Sequence, residues 1–394
     1  MSNPLKGIKV LELGQFIAGP FVGMQLADLG AEVTKVERPV QGDPFRAFGT
    51  SPAAIGYSHN FCAYNRNKLS LTIDLQQKRG QELFRRAVAK ADVVVENFRP
   101  GVMRRLGLDW DNLREINPRL IYASIAGFTE DGPYGALPAY DAVGQALSGI
   151  MGLFLDPADP RMRGPTISDQ ISGMQASSAI LAALYGRERN GKGSRVEITL
   201  LEASLYFMPD SFTALTQGGV AMGPETRAAF SLAFVFACSD GLIALQPSSI
   251  EKFWHAMLAA IERPDIGQDA RFKDRQGRIK NFQALIGVLR PVFAAKPRAE
   301  WTKRLTDHEV PAAQVNSIPE AMADPEVKHL GIFHTLDHPR YGKLTAMRRS
   351  ARIDGERETT PLPPPALGEH TDRVLGGIGC GTAEIAELRA AGIV

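Results

Sequence analysis

In the first third of the chain, short runs of apolar and β-branched residues alternate with stretches whose apolar positions recur at helical spacing. "IKVLELG" (8–14) is followed by "AGPFVGMQLADLGA" and then by "EVTKVER" (32–38), which predicts a βαβ unit. The alternation continues through "LSLTIDL" (69–75), the helical "KRGQELFRRAVAKA", "DVVVENF" (92–98), a short helix through "GVMRRLGL", and "LIYASIAGF" (120–128). Strands this continuously apolar need cover on both faces, so the pattern predicts a parallel, doubly wound α/β sheet. Ligands of such sheets sit beyond the carboxyl ends of the strands.

Farther along, the pattern predicts a helix in "YDAVGQALSGIMG", a long helix in "DQISGMQASSAILAALYGRERNG", and a strand in "SRVEITLL". It then changes character. "FVFACSDGLIALQ" (234–246) reads as a hairpin around Ser239-Asp240-Gly241, and amphipathic helices follow near 250–261, 278–294 and 297–307, so a smaller α+β domain is expected there. "AMADPEVKHLGIF" reads as a chain crossing back, ahead of a "PLPPP" spacer and "LGEHTDRVL".

Composition narrows the function classes. With 394 residues, 44% of them hydrophobic, the chain holds more apolar material than one core usually absorbs. Its 45 basic and 43 acidic residues nearly cancel, so nothing in the overall charge recruits nucleic acid or an anionic membrane, and any anion must be caught by a local cluster. Cys62, Cys238 and Cys380 are far apart and odd in number, which reads as reduced thiols. His334 and His338 form an HxxxH pair that lacks the glutamate of HExxH and runs into Pro339, so no metal site is expected. The N-terminus lacks a signal-peptide pattern, and no apolar run reaches the ~18 residues of a membrane span, so a cytoplasmic protein is expected.

The loop after the first strand is "GQFIAGP". Gly14 and Gly19 stand five apart, so the GxGxxG of a dinucleotide site is absent, as is GxxxxGK[ST]. Gly19-Pro20 is either a plain helix start or part of a ligand-contacting loop. Basic residues recur where the strands are predicted to end or begin: Arg38, Arg66, Lys68, Arg99, Arg104 and Arg105. Guanidinium groups bind phosphate bidentately, so a ligand carrying several phosphates suits such an edge.

One further stretch, "GPTISDQISG" (164–173), opens the long helix. Thr166 to Asp169 has the form of a capping box, with Thr166 at the N-cap and the acid three residues on. Asp169 is therefore a cap or a reactive carboxylate, and the readings are compatible, because the positive helix end favours an ionised acid. Asp141 likewise reads as an N-cap for "AVGQALSG" or as a group positioning an acyl chain.

Taken together, "KVLELGQFIAGPFVGMQLADLGAEVTKVERP", "NRNKLSLTIDL", "VVVENFRPGVMRRLGL", "PAYDAVGQALSG", "SDQISGMQASSAILAALYGRERNGKG" and "LGEHTD" resemble the family III coenzyme A transferases, which include formyl-CoA transferase and the carnitine CoA transferases. The resemblance spans nearly the whole chain. It implies a Rossmann-like large domain built from 1–215 and, after a return crossing, from 321–394, with the small domain at 225–320, in an interlocked homodimer. It implies that Asp169 is the nucleophile that forms an aspartyl anhydride and then an aspartyl-CoA thioester. It places Arg38, Asn97, Phe98 and Arg105 on positions that hold coenzyme A, and Phe16, Ile17 and Ala18 on the loop beside the thioester, with Gln15 either an oxyanion partner or an ordinary loop residue. A CoA thioester and a small carboxylic acid are then the substrates, succinyl-CoA being the donor suggested by resemblance, with no permanently bound cofactor.

The same fold hosts α-methylacyl-CoA racemases, whose His-Asp dipeptide is here Tyr140-Asp141. No histidine lies between His59 and His255, so the racemase imidazole is missing. Relative to formyl-CoA transferase, Ile17 replaces an active-site glutamine, Asp141 replaces a glutamate, and no glycine-rich loop appears near "SLAFVFACSDG", which argues against formyl or oxalyl specificity. A racemase or isomerase and a non-catalytic acyl-CoA binding protein are the alternatives.

Overall fold

The computed structural model describes residues 3–48, 58–247, 250–338, 342–357 and 361–394. The chain divides into two units, one formed by Met1–Ile150, Gly164–Met208 and Leu330–Val394, the other by Met151–Arg163 and Pro209–His329.

The first unit opens with β1 (Lys9–Glu12), α1 (Ala18–Asp28), β2 (Glu32–Glu37), α2 (His59–Tyr64), β3 (Lys68–Thr72), α3 (Lys78–Val88) and β4 (Val93–Glu96). It continues with α4 (Val102–Arg105), α5 (Trp110–Ile116), β5 (Ile121–Ala126), α6 (Asp141–Ser148), α7 (Ile167–Asn190), β6 (Ser194–Thr199) and α8 (Leu200–Tyr206). The six strands form one sheet in the order β3-β2-β1-β4-β5-β6, every pairing parallel. This is the doubly wound α/β sheet that the apolar runs predict.

Alternation across the pleat explains why those runs are apolar throughout. Val10, Val33, Val93, Ile121 and Ala123 pack on one face with Val22 and Leu26 of α1 and Ala176 and Ile180 of α7. Their neighbours Leu11, Val94 and Tyr122 pack on the other face with Phe84 of α3, Leu113 of α5 and, from the far end of the chain, Leu375 and Leu388. A residue on either face is buried, so no polar stripe is left.

The second unit holds α9 (Pro209–Gly218), α10 (Thr226–Ser231), β7 (Phe234–Cys238), β8 (Gly241–Leu245), α11 (Glu251–Ala260), α12 (Pro264–Gln268), α13 (Arg275–Lys280), α14 (Phe282–Ala294), α15 (Arg298–Asp307), β9 (Ala312–Gln314), α16 (Ile318–Ala323) and α17 (Pro325–Leu330). β7 and β8 form the expected hairpin, closing on the Cys238–Gly241 pair, and β9 adds antiparallel to β8. Its core stacks Phe236 on Phe293, with ring centroids 4.6 Å apart, and buries Trp254 and Trp301.

The chain then returns with β10 (Phe333–His338), β11 (Gly342–Met347), α18 (Thr371–Gly377) and α19 (Thr382–Ala390). His334 and His338 thus lie on a strand paired antiparallel with β11 rather than on a helix. "LGEHTD" covers the open edge of β3: His370 Nδ1 accepts from the Ser70 amide and Thr371 Oγ1 from the Thr72 amide, which protects an otherwise unpaired edge.

Candidate active site

Strand order reverses around β1, which lies between β2 and β4, so the segments leaving β1 and β4 diverge and open a crevice above their carboxyl ends. The segment after β1 is the loop 13–17. Gly14 and Gly19 touch: a Cβ on either would stand 2.8 Å from the other's Cα, so both are required by the tight return of the loop onto α1 rather than by a phosphate. Between them Phe16 holds φ at +61°, a left-handed conformation that costs a non-glycine residue about 1 kcal/mol or more.

Side chains from β2, from the turn after it and from just beyond β4 hold this loop. Asn97, just after β4, receives the Gln15 amide on its Oδ1 at 2.8 Å and donates its Nδ2 to the Gln15 carbonyl at 2.9 Å. Asp43 accepts from the Phe16 amide at 3.2 Å, and Lys35 donates to the Gly14 carbonyl at 2.7 Å. The Phe16 ring meets Phe45 and Tyr140 edge-on, with centroids 5.5 and 5.7 Å away.

Helix α7 supplies the carboxylate. Gly173 lets α7 pass against the start of α1, since a Cβ there would stand 3.0 Å from Phe21 and 3.1 Å from the Ala18 carbonyl. That approach brings the first turn of α7 to the loop. Thr166 is the N-cap residue, as the spacing predicts, but its side chain makes no cap hydrogen bond. Asp141 does so instead: its Oδ1 accepts from the Ser168 amide at 2.8 Å and from the Asp169 amide at 3.3 Å, while Gln145 donates to its Oδ2 at 2.6 Å. The capping-box expectation is therefore corrected. Asp141, at the first position of α6 behind the N-cap Tyr140, caps α7 rather than its own helix.

Because another residue caps the helix, the Asp169 carboxylate is left uncommitted, with no donor to it among the described residues. Burial, and then the negative charge of Asp141, push its pKa up to about 7. It lines a cleft of about 270 Å³ together with Gln15, Phe16, Ile17, Ala18, Asn97, Phe98 and Tyr140. A larger cleft of about 640 Å³ adjoins it, sharing Phe98, Arg99, Pro100, Ala126 and Phe128.

The basic residues separate into two kinds. Arg66 and Lys68, expected at the ligand edge, are buried in ion pairs with Asp28 and Glu12, and Lys68 also donates to the Pro20 carbonyl and the Asn65 amide oxygen. They hold α1 in place and are corrected to structural residues. Arg104 is exposed and pairs with Glu130. Arg38 and Arg105 are exposed and lie outside the lining of the Asp169 cleft. Sequence reasoning missed Gln145, Lys35 and Asp43. A lysine in the middle of the buried run "EVTKVE" was the available signal, since a buried charge needs a partner nearby.

The family model described as CoA-transferase family III matches residues 5–371, and the chain belongs to that family: it is a CoA-transferase. Human succinyl-CoA:glutarate CoA-transferase is 30% identical, the match covering 100% of this chain and 90% of that one. Succinate–glutarate CoA-transferase of Agrobacterium fabrum is 33% identical over 94% of this chain and 95% of its own. The crystal structure of a CAIB/BAIF family protein from Brucella suis superposes with a TM-score of 0.84 at 31% identity, covering 96% of this chain and 100% of that one.

Proposed function

We propose that this CoA-transferase works through Asp169, with succinyl-CoA as donor and a small dicarboxylic acid as acceptor. The observation that carries the proposal is an uncommitted carboxylate lining a cleft beside the amides of the first loop. A carboxylate Oδ of Asp169 attacks the thioester carbonyl, the C–S bond breaks, and an acyl-aspartyl anhydride and CoA thiolate result. The thiolate attacks the aspartyl carbonyl, displacing the donor as its free carboxylate and leaving an aspartyl-CoA thioester. The acceptor carboxylate then attacks that thioester and releases thiolate again. The thiolate takes the acceptor's acyl carbon from the second anhydride, and Asp169 is regenerated as a carboxylate. Each carbonyl attacked develops an oxyanion, for which the amides of Ile17 and Ala18 in the loop are the stabilising donors and Gln15 a further contact.

The names of the relatives support the donor and the acceptor class, since two of them join succinate and glutarate. Asn97 and Phe98 line the cleft and are assigned to the CoA arm; Arg38 and Arg105 are assigned to its phosphates. The adjoining cleft offers space for the rest of the coenzyme. Tyr140 and Ile17 border the acyl group. Among the described residues the lining holds no histidine, which weighs against a racemase.

We assign the protein to the cytoplasm, in keeping with the odd number and wide spacing of its three cysteines; no helix among the described residues is long and apolar enough to cross a membrane. An interlocked homodimer is the proposed assembly. Its support is apolar surface on α7 and α8 that calls for cover: Tyr185, Tyr206 and Phe207 are 65%, 80% and 60% exposed in the single chain.

The test is a panel of acyl-CoA donors and carboxylic acids. Transfer from succinyl-CoA to glutarate or a similar diacid supports the proposal. Exchange of the α-proton without transfer, or binding without turnover, overturns it.

A further inference from the structure

We infer that Asp43 and Lys35 are positioning residues of the transfer reaction, acting through the first loop. The inference rests on the proposed chemistry at Asp169.

Beneath the loop lies a set of wholly buried charges: Glu12, Lys35, Asp43 and Lys68. Lys35 Nζ stands 2.9 Å from Asp43 Oδ2 and 3.3 Å from Glu12 Oε1, and Lys68 Nζ 2.8 Å from Glu12 Oε2. Two acids and two ammonium groups balance. A merely stabilising cluster would need nothing more. This one, however, hands three of its remaining bonds to the backbone on both sides of Ile17 and Ala18. Lys35 takes the Gly14 carbonyl, Asp43 the Phe16 amide, and Lys68 the Pro20 carbonyl, at 2.7, 3.2 and 2.8 Å.

The conformation held this way is one the loop would not adopt unaided. Phe16 is left-handed, and any non-glycine residue relaxes from that region unless its surroundings over-determine it. Asp43 is well placed to do so, because the same Oδ1 that accepts from Phe16 also accepts from the Phe45 amide at 2.9 Å, which fixes the carboxylate at the start of its own 3-10 turn. Behind it the Asp43 amide donates to Glu37 at 3.0 Å, and Glu37 is bound twice by Arg46 at 2.7 Å. Phe16 in turn sets the direction of the next amides. α1 begins at Ala18, so the amides there fall in the first turn, where no intrahelical acceptor exists. Flipping Phe16 to an ordinary conformation would swing those donors away from the carbonyl that Asp169 attacks, while leaving the surfaces that bind CoA in place.

A substitution at Asp43 should therefore lower turnover without weakening substrate binding. With succinyl-CoA and glutarate, Asp43→Asn is expected to lower kcat by about 10- to 100-fold, less than the ~100- to 1,000-fold of a deleted oxyanion donor because the donors are displaced rather than removed, with KM for succinyl-CoA within about two-fold of wild type. An unchanged kcat, or a rise in KM that accounts for the loss, overturns the inference. A second pair keeps the test independent of the buried cluster: Phe16→Gly and Phe16→Ala both remove the ring, but only glycine adopts the left-handed conformation freely. Phe16→Gly should turn over several-fold faster than Phe16→Ala, and equal rates overturn the inference. Trapping the wild-type adduct with hydroxylamine is read separately. A missing hydroxamate at Asp169 removes the nucleophile assignment, whereas the kcat comparison judges the loop.

Discussion

Two groups of carboxylates lie close together in this fold and have opposite fates. Under the first loop, Glu12, Glu37 and Asp43 are buried, and each faces a cation. Burial works against the charge of Glu37, yet Arg46 and Lys35 hold its carboxyl below the usual range. Burial also opposes the charge of Lys35, but Asp43, Glu12 and Glu37 hold its ammonium above the usual range. At the start of α7, Asp141 and Asp169 share one helix end with no cation beside them among the described residues; Asp141 is satisfied by two backbone amides and Gln145, while no described residue donates to the Asp169 carboxylate. Ion pairs hold the first group in place, where it supports the backbone. The second keeps a carboxylate whose charge is costly to hold, and that cost makes it available for chemistry.

The largest effect that would break this contrast is at Asp169. Asp169→Asn should reduce transfer by at least about a thousand-fold while acyl-CoA binding, followed by calorimetry, stays within a few-fold. The linkage has a definite sign. A carboxyl whose folded pKa is raised to about 7 binds its proton more tightly in the folded state, so it costs stability as pH rises from the unfolded value toward 7 and at a constant level above. The Asn variant should consequently resist urea at pH 8 at least as well as wild type, and a clear loss of stability there would make Asp169 a structural residue.

Lys35→Met probes the other side. Removing one partner of a buried pair leaves an uncompensated charge, and the expected loss is about 3–5 kcal/mol in urea unfolding at pH 7. A loss below about 1 kcal/mol would show that the cluster is not what holds the loop.

The pH profile sharpens the comparison. On the proposed mechanism the ionised acid attacks, so kcat/KM should rise with pH through an apparent pKa near 7 and level off above it. Asp141→Asn keeps an oxygen for the Ser168 amide but removes the second charge, so the rising limb should move to lower pH. A limb that stays in place would assign the shift to burial alone.

The smallest effect belongs to Arg105, exposed and outside the cleft lining. Arg105→Ala should raise KM for succinyl-CoA about five-fold, the ~1 kcal/mol of an exposed charged contact, with kcat unchanged.

Much of this architecture is legible in the order of residues, because periodicity is local. The apolar runs mark the strands, the turn residues mark the hairpin at Ser239-Asp240, and Thr166 to Asp169 place an acid in the first turn of α7, each read from neighbours within a few positions. The surroundings of that acid were decided elsewhere. Asp141 reaches the α7 amides from 27 residues away, and Asn97 reaches Gln15 from 82. Lys35 and Lys68 meet on Glu12 only because β2 pairs with β1 on one side and with β3 on the other. In one dimension Arg66 and Lys68 cannot be told from Arg38 and Arg105. Strand order buries the first pair against acids and leaves the second in solvent, since it is the tertiary fold that selects each charge's neighbours and dielectric.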